Sequence, residues 1–331
     1  MTPHDLITMG RVSVDVYPLQ VGTRLEDVET FGKYLGGSPT NVAVAAARHG
    51  RRTAVITRTG EDPFGRYVHK ALREYGVDDR FVTAVPGLPT PLAFCEIFPP
   101  DDFPLYFYRR PKAPDLEIYE EELDLPAIRA ARVFWATVTG LCEEPSRTAT
   151  LAALAARDRR HVTVLDLDYR PMFWSSPEEA GGWVRRALAH VTVAVGNVEE
   201  CEVAVGEREP YAAAEALLDR GVRTAIVKRG PKGVLAATRA DSGRTTVVEV
   251  PPVEVEVVNG LGAGDAFGGA LCHGLLVGWD VERTVRFANA AGAIVASRLA
   301  CSPAMPTTAE VEELVSDGVM PRDRATGERT G

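Results

Sequence analysis

The sequence predicts an α/β fold with a mainly parallel central sheet and a small β lid. Short runs rich in Val and Ile alternate with longer helical patterns, which is typical of β-α-β units around a parallel sheet. Two stretches, residues 11–35 and 90–110, break this rhythm and predict a small antiparallel lid beside the main sheet. Apolar residues make up 45% and charged residues 25% of the chain, a balance that supports a sizeable core.

The main sheet and its helices can be placed along the chain in order. Strands are predicted at five apolar runs: residues 53–57, 132–138, 161–168, 191–197 and 224–230. Helices are predicted at residues 65–75, 146–158, 177–190 and 211–220, and glycines close the first and last of them. Without internal repeats to divide the chain, we expect one domain over residues 1–316 and a disordered tail over residues 317–331, which is poor in apolar residues.

The charge and cysteine content exclude several classes of partner. Lys and Arg number 37 against 46 Asp and Glu, a formal net charge of −9, which disfavours nucleic-acid and membrane partners. The five cysteines are odd in number and contain no C-x-x-C pair, which favours a reducing compartment. Since no basic signal-peptide region or long apolar run is present, we predict a cytoplasmic protein.

The most informative segment runs from Asn259 to Asp265, with the sequence NGLGAGD, and a helical pattern follows it. Its small residues let backbone amides approach a ligand, and the helix N-terminus adds partial positive charge, so the loop suits an anion. An isolated acid there would equally serve as a helix cap.

A second glycine-rich segment, Gly36 to Ala43, has the sequence GGSPTNVA before another helix. Its backbone and the Asn41 side chain are placed to reach a ligand. On its own the segment would also fit a tight turn before a packed helix.

Together, GGSPTNVA and GLGAGDAF about 220 residues later resemble the two signatures of the ribokinase-like, or PfkB, family of carbohydrate kinases. The resemblance covers roughly residues 5–315 and implies the three-layer ribokinase-like fold. It implies that Asp265 is the catalytic base and that amides of Gly262, Ala263 and Gly264 form an anion hole for the transferred phosphoryl group. Asp15, Gly37 and Asn41 would bind the sugar.

The same resemblance implies ATP and Mg²⁺ as cofactors. Asn197 and Glu200 match a pair that organises Mg²⁺ through water, although a helix cap at Asn197 beside a solvated glutamate fits the pattern equally. The adenine ring would lie between the segment Lys228–Gly233, with Gly230 and Gly233, and the late helix that carries Asn289 and Ala293. Homodimerisation through the lid is a further expectation.

The expected substrate is a sugar acid. Arg109 ends the lid segment and Arg170 follows a strand, and planar guanidinium groups bind carboxylates bidentately. Surface positions or pairing with local acids would explain both arginines as well. The motif DYRPMFW at residues 168–174 resembles family members that phosphorylate the C6 hydroxyl of 5-dehydro-2-deoxygluconate in myo-inositol catabolism.

Three alternatives remain open: a kinase of 2-keto-3-deoxygluconate, a fructokinase-like kinase of a neutral sugar, and an inactive regulator that binds sugar or nucleotide. A nicotinamide-dependent oxidoreductase is disfavoured because no G-x-G-x-x-G follows the first strand. Many family members read D-T-x-G-A-G-D where this chain has Asn259, Gly260 and Leu261, so activation by a monovalent cation is in doubt.

Overall fold

The computed structural model describes residues 3–317. A central sheet of ten strands has the order β14-β13-β12-β11-β10-β9-β1-β4-β5, and β6 extends from β4. Its strands are β1 (Leu6–Met9), β4 (Thr53–Gly60), β5 (Val77–Asp78), β6 (Val82–Val85), β9 (Val133–Thr137), β10 (Val162–Asp166), β11 (Val193–Asn197), β12 (Thr224–Lys228), β13 (Val234–Arg239) and β14 (Thr245–Val250). All pairs from β12 to β6 are parallel, and the antiparallel hairpin β13–β14 closes one edge. The predicted fold class is confirmed.

Ten helices cover the two faces of the central sheet within the described residues. They are α1 (Ser38–Arg48), α2 (Pro63–Glu74), α3 (Leu125–Ala130), α4 (Ser146–Ala156), α5 (Pro177–Leu188), α6 (Val198–Val205), α7 (Pro210–Asp219), α8 (Ala263–Val277), α9 (Val281–Ala296) and α10 (Thr308–Asp317). Successive side chains of a strand point to opposite faces, and the core divides accordingly. Leu6 and Trp135 pack in the cluster with α1, α8 and α9, whereas Ile7 and Phe134 pack in the cluster with α4, α5 and α7. The result is a three-layer molecule.

A second, small sheet of four strands is formed by the two segments that broke the sequence rhythm. Its order is β3-β2-β7-β8, with β2 (Ser13–Pro18), β3 (Phe31–Gly36), β7 (Leu92–Cys95) and β8 (Leu105–Tyr108). The outer pairs are antiparallel, but β2 and β7 are parallel, so the expectation of an antiparallel sheet is wrong for the central pair. Both strands run outward from the main sheet and both partners return to it, which makes the central pair parallel.

The end of the chain was predicted to be disordered from residue 317. Asp317 is the last residue of α10, and the remainder of the predicted tail lies outside the described residues. Within residues 3–317, every helix falls short of the length and apolarity that a bilayer crossing requires.

Candidate active site

A cleft with about 720 Å³ of empty space lies between the small sheet and the carboxyl ends of the parallel strands. Arg11 follows β1, Asp166 ends β10 and Lys228 ends β12, and all three line it. Ligand sites of open α/β sheets lie at this edge because the strand ends and the following loops converge there.

The cleft brings together most of the residues that the sequence singled out. Those that line it are Asp15, Gly37, Asn41, Arg170, Glu200, Lys228, Gly262, Gly264 and Asp265. Those that are not among its lining residues are Arg109, Ala263, Asn197, Gly230, Gly233 and Asn289.

Asp265 lies in the first turn of α8 and faces α1 across the cleft. The Asn41 amide nitrogen donates to Asp265 Oδ2 at 2.8 Å, and Asn41 Oδ1 accepts a hydrogen bond from Ser302 Oγ at 2.6 Å. Ser302 therefore fixes which face of the Asn41 amide points at the carboxylate. Burial raises the pKa of Asp265, against the lowering effect of hydrogen bonds from Asn41 and Ser38. A carboxylate held this way is positioned to accept a proton from a ligand in the cleft.

Two loops need glycine to form this site. Gly262, which precedes α8, has φ 84°, and a Cβ there would lie 2.6 Å from Cys301 Sγ. Gly37, which precedes α1, has φ 97°, and a Cβ there would lie 2.5 Å from the Arg11 carbonyl oxygen. Both positions combine a left-handed backbone with a close contact, which only glycine accepts without strain. The Ala263 amide donates to the Gly260 carbonyl at 3.5 Å, whereas the amide of Gly264, which lines the cleft, is in the first turn of α8 and has no intrahelical acceptor.

Asp15 belongs to β2 of the small sheet and lines the cleft from that side. Its carboxylate accepts hydrogen bonds from Ser13 Oγ at 2.7 Å and from the Tyr17 hydroxyl at 3.1 Å. Burial raises its pKa, partly offset by these hydrogen bonds and by Arg11. The side chain lines the cleft, where it can accept hydrogen bonds from ligand hydroxyls.

Two arginines converge on one carboxylate inside the cleft. Arg11 Nη2 lies 3.3 Å from Asp168 Oδ2, and Arg170 Nη2 lies 2.8 Å from Asp168 Oδ1. The charge of Asp168 raises the pKa of Arg170. The sequence analysis missed Arg11, although its place directly after the first parallel strand was a usable signal.

Arg109 takes a different position from the one predicted. Its Nη1 and Nη2 bind the two oxygens of Asp115 at 3.0 and 2.5 Å, and its guanidinium lies over the Phe173 ring at 5.2 Å. Asp115 also accepts a hydrogen bond from the Val12 backbone amide at 3.2 Å. Arg109 is thereby tied to the segment that carries Arg11.

Asn197 and Glu200 form a reciprocal helix cap. The Glu200 amide donates to Asn197 Oδ1 at 2.8 Å, and the Asn197 amide donates to Glu200 Oε2 at 2.7 Å. This is the capping alternative, but Glu200 is 6% exposed rather than solvated, and it also lines the cleft. Glu200 therefore takes part in a helix cap and also presents its side chain to the cleft, so the capping role and a role at the metal are compatible.

The cleft contains oxygen ligands suited to Mg²⁺. Glu200 and Asp166 both line it, and Mg²⁺ is held in proteins by one or two carboxylates together with waters and substrate phosphates. Among residues 3–317, no group of three or more acidic, His or Cys side chains is placed to enclose a metal ion. The chain therefore fits an ion that arrives with a phosphorylated ligand.

Lys228 lies beside the glycine loop. A Cβ on Gly264 would be 3.4 Å from Lys228 Nζ, so the ammonium is next to the first turn of α8. Glu200, Asp166, Asp168 and Asp265 raise the pKa of Lys228 against the effect of burial. Burial, opposed by Lys228, raises the pKa of Asp166 to about 8. The ammonium is a fixed positive charge at the point where a phosphoryl group would meet the loop.

Two of the remaining predicted nucleotide contacts, Gly233 and Asn289, meet at another place, around Pro251. The Asn289 amide nitrogen donates to the Pro251 carbonyl at 2.8 Å. A side chain at Gly233 would collide with the backbone of Val250 and Pro251. Gly233 and Asn289 are thus neighbours in space although 56 residues (289 − 233) separate them in sequence.

The chain matches one family model, described as pfkB family carbohydrate kinase, over residues 3–308. It is 34% identical over 319 residues to 5-dehydro-2-deoxygluconokinase of Geobacillus kaustophilus, with 95% of this chain and 94% of the relative covered. It is 32% identical over 317 residues to the 5-dehydro-2-deoxygluconokinase of a Listeria monocytogenes strain, with 94% and 96% covered.

Solved structures with the same fold include two fructokinases. The fructokinase of Xylella fastidiosa with bound ATP superposes with a TM-score of 0.83 at 25% identity, covering 96% of this chain and all of the other. The fructokinase of Vibrio cholerae in a form with fructose, ADP and calcium ion superposes with a TM-score of 0.80 at 26% identity, covering 94% and 99%.

Proposed function

The chain belongs to the pfkB family of carbohydrate kinases, and on this premise we propose that it transfers a phosphoryl group from ATP to the C6 hydroxyl of 5-dehydro-2-deoxygluconate. The relatives that carry this activity in their name align over nearly the whole chain. The sugar acid would lie between the small sheet and Asp265, with Asp15 and Asn41 on its hydroxyls.

In the proposed reaction Asp265 accepts the proton of the C6 hydroxyl as that oxygen attacks the terminal phosphorus of ATP. The new bond joins the sugar oxygen to phosphorus, and the bond between this phosphorus and the bridging oxygen of ADP breaks. Amides of Gly262, Ala263 and Gly264 stabilise charge on the transferred group, since phosphoryl transfer depends chiefly on positioning and electrostatics. Lys228 adds a positive charge beside Gly264.

ATP is the phosphoryl donor, and Glu200 would hold Mg²⁺ through water. When bound, the ion neutralises charge on the phosphate oxygens. We propose that the ribose and adenine extend toward Gly230, Gly233 and Asn289, with Asn197 acting indirectly by holding Glu200 in place.

The observation that carries the substrate assignment is the pair of guanidinium groups inside the cleft. Arg11 and Arg170 each contact Asp168 through one nitrogen, although a guanidinium offers five N–H donors. The N–H donors that do not contact Asp168 leave capacity for a second carboxylate, which a sugar acid supplies and a neutral sugar does not. Arg109 is already engaged by Asp115, so we propose that it positions Val12 and Arg11 instead of contacting the substrate.

A neutral-sugar kinase is the second candidate, because the two fructokinases share the fold at 25% and 26% identity. Kinetics on 5-dehydro-2-deoxygluconate, 2-keto-3-deoxygluconate and fructose would separate the possibilities. We expect the first acid to have the highest kcat/KM. Arg170→Ala and Arg11→Ala should raise its KM by tenfold or more, because loss of a charge-assisted hydrogen bond costs about 1.5–3 kcal/mol.

The exposed Arg244 in the β13–β14 turn offers a matched control, since Arg244→Ala removes the same charge outside the cleft. KM for ATP should change little in all three variants. Fructose as the best substrate, or an unchanged KM for the acid in both cleft variants, would assign the protein to the neutral-sugar kinases. Arg170→Lys should restore binding only in part, since an ammonium lacks the bidentate geometry.

We propose that the small sheet serves as a lid and as the contact surface of a homodimer. Its outer face exposes aromatic side chains, with Tyr108 64% and Phe31 39% exposed, joined through Phe94 by ring contacts of 5.4 and 5.9 Å. Tyr108→Glu would then yield monomers in sedimentation at concentrations where the wild type is dimeric.

We also propose a reducing, cytoplasmic setting, supported by five unpaired cysteines.

A further inference from the structure

A second cleft, with about 1110 Å³ of empty space, lies at the opposite edge of the central sheet from the active site. It opens where β9, β10, β11 and β12 begin, and Leu275 and Leu276 at the end of α8 form part of its wall. Asp265 and Leu276 are separated by roughly 16 Å along the axis of α8, at 1.5 Å per residue. The two clefts are therefore distinct.

Basic side chains line this second cleft, and none of its lining residues within 3–317 is acidic. The basic lining residues are Arg132, Arg159, Arg160, His161 and Arg223. The whole chain carries a net charge of −9, so this concentration of positive charge runs against the average. Carboxylates occur only beside the cleft: Asp5 lies 3.5 Å from Arg132, and Asp158 lies 2.9 Å from Arg160.

Arg160 is paired with Asp158, and two of the other arginines donate to backbone carbonyls. Arg132 Nη2 donates to the Leu276 carbonyl at 2.7 Å, and Arg159 donates to the carbonyls of Ala189 and Gly221. These carbonyls lie at or just beyond the ends of α8, α5 and α7, where cations offset the negative end of the helix dipole. The same explanation does not extend to Arg223 and His161, whose side chains have no hydrogen bond or ion pair within residues 3–317.

A buried cation lies behind the cleft wall without a carboxylate partner among the described residues. Arg157 is 2% exposed, and it donates to the carbonyls of Ile128, Ala131 and Val162 at 2.7, 2.6 and 3.0 Å. Burial alone lowers the pKa of Arg157 to about 10. Hydrogen bonds to neutral carbonyls satisfy its donors but leave its charge uncompensated, which is costly in a protein interior.

Arg157 also fixes the geometry of the cleft. Its partners belong to α3, to the strand entry before β9 and to β10, which are the segments that form the walls. The loop that follows it carries Asp158 and Arg159 at φ 49° and 54°, a left-handed conformation that non-glycine residues seldom adopt. Arg160 and His161 follow directly in sequence and line the cleft together with Arg223.

We propose that this basic cleft is a second ligand site, which binds the phosphoryl group of a small molecule through Arg160, His161 and Arg223. Guanidinium groups match the geometry of phosphate oxygens and bind them bidentately. Val162 and Leu275 provide apolar contact for the body of the ligand.

Isothermal titration with inorganic pyrophosphate tests the proposal. The enzyme is first saturated with ADP, which fills the nucleotide end of the active site. We expect one molecule of pyrophosphate to bind, and Arg223→Ala to raise its Kd about tenfold, the effect of losing one charge-assisted hydrogen bond. The double variant Arg160→Ala/Arg223→Ala should abolish binding.

Arg244→Ala is the matched control, because it removes an exposed arginine in a turn outside the cleft and should leave the Kd unchanged. None of these residues lies in the active-site cleft, so kcat without pyrophosphate should equal that of the wild type in each variant. Citrate in place of pyrophosphate separates phosphoryl from carboxylate ligands. The proposal is overturned if the wild type binds no pyrophosphate, if citrate binds as tightly, or if all variants agree with the wild type within about twofold in Kd.

Discussion

At Asp265 a single carboxylate depends on three different parts of the chain. α8 supplies its position, Asn41 of α1 supplies a hydrogen bond, and Ser302 orients that asparagine from a later segment. Neither Asn41 nor Ser302 carries a positive charge, and burial raises the pKa of Asp265 above that of a free aspartate. A carboxylate with a raised pKa is a better general base than a fully solvated aspartate, because its pKa is closer to the operating pH.

Asp265→Asn keeps the shape of this side chain and removes proton acceptance. We expect kcat to fall roughly 10²-fold or more, the usual scale of general base catalysis, with little change in KM for either substrate. Steady-state kinetics on variant enzyme with an unchanged melting temperature provides the measurement. A kcat near that of the wild type would require another base.

Individual residues show where sequence reasoning succeeded and where it stopped. Asp15, Asn41 and Asp265 were found because each lies in a contiguous motif. Arg11 lines the cleft but was not predicted, and Arg109 was predicted there but does not line it. Arg109 pairs with Asp115, and the order of residues along the chain does not indicate which acid pairs with a given arginine. Such pairing is decided by packing in three dimensions.

At the scale of elements, strands were easier to predict than their pairing. Five parallel strands of the central sheet, β4, β9, β10, β11 and β12, form at the predicted runs, because parallel strands buried on both faces have continuous apolar sequences. Helix α2 begins at Pro63, two residues before the prediction, since Asp62 caps it by accepting from the Gly65 amide at 2.7 Å. The parallel β2–β7 pair depends on where the chain re-enters the small sheet, which no local pattern records.

The segment Asn259 to Leu261 bears on cation activation. Asn259 is fully buried, its amide nitrogen donates to the Leu299 carbonyl at 2.7 Å, and its Oδ1 accepts from the Leu261 amide at 3.0 Å. Because the acid and the hydroxyl of the D-T-x-G-A-G-D pattern are absent from this segment, we expect replacement of K⁺ by tetramethylammonium at constant ionic strength to leave kcat nearly unchanged.

The companion variant Asn259→Asp replaces that donor by an acceptor that faces the Leu299 carbonyl. Two facing acceptors favour a bound cation, so K⁺ should raise the melting temperature of this variant more than that of the wild type. Several-fold stimulation of the wild type by K⁺ would show instead that the segment retains a cation site.

At the scale of the whole molecule, two buried histidines couple stability to pH. His49 and His273 are 4% and 5% exposed, with ring centroids 5.1 Å apart, and Arg51 Nε donates to His273 Nδ1 at 3.2 Å. Burial, with help from the nearby positive charges, lowers the pKa of His49 to about 3 and that of His273 to about 4. Both rings are therefore neutral in the folded state at neutral pH.

The unfolded chain binds protons at these histidines near pH 6.5, whereas the folded chain does so only near pH 4 and below. The unfolding free energy should therefore fall as pH decreases from about 6.5 toward 4, by at most about 1.4 kcal/mol per pH unit for each histidine. Urea unfolding at pH 7 and pH 5 measures the difference. His273→Phe should reduce it, whereas His161→Gln, at an exposed position, should not.

The fluorescence of Trp135 should report on the packing of α8. Its ring is 1% exposed, its indole Nε1 has no hydrogen-bond partner among the described residues, and it lies against Gly268, one turn after Asp265. Trp183 and Trp279, by contrast, have arginine guanidinium groups over their rings at 4.4 and 4.1 Å. Trp135 should accordingly emit at the short-wavelength end of the fluorescence spectrum, which makes it a built-in reporter on the helix that carries the proposed catalytic base, Asp265.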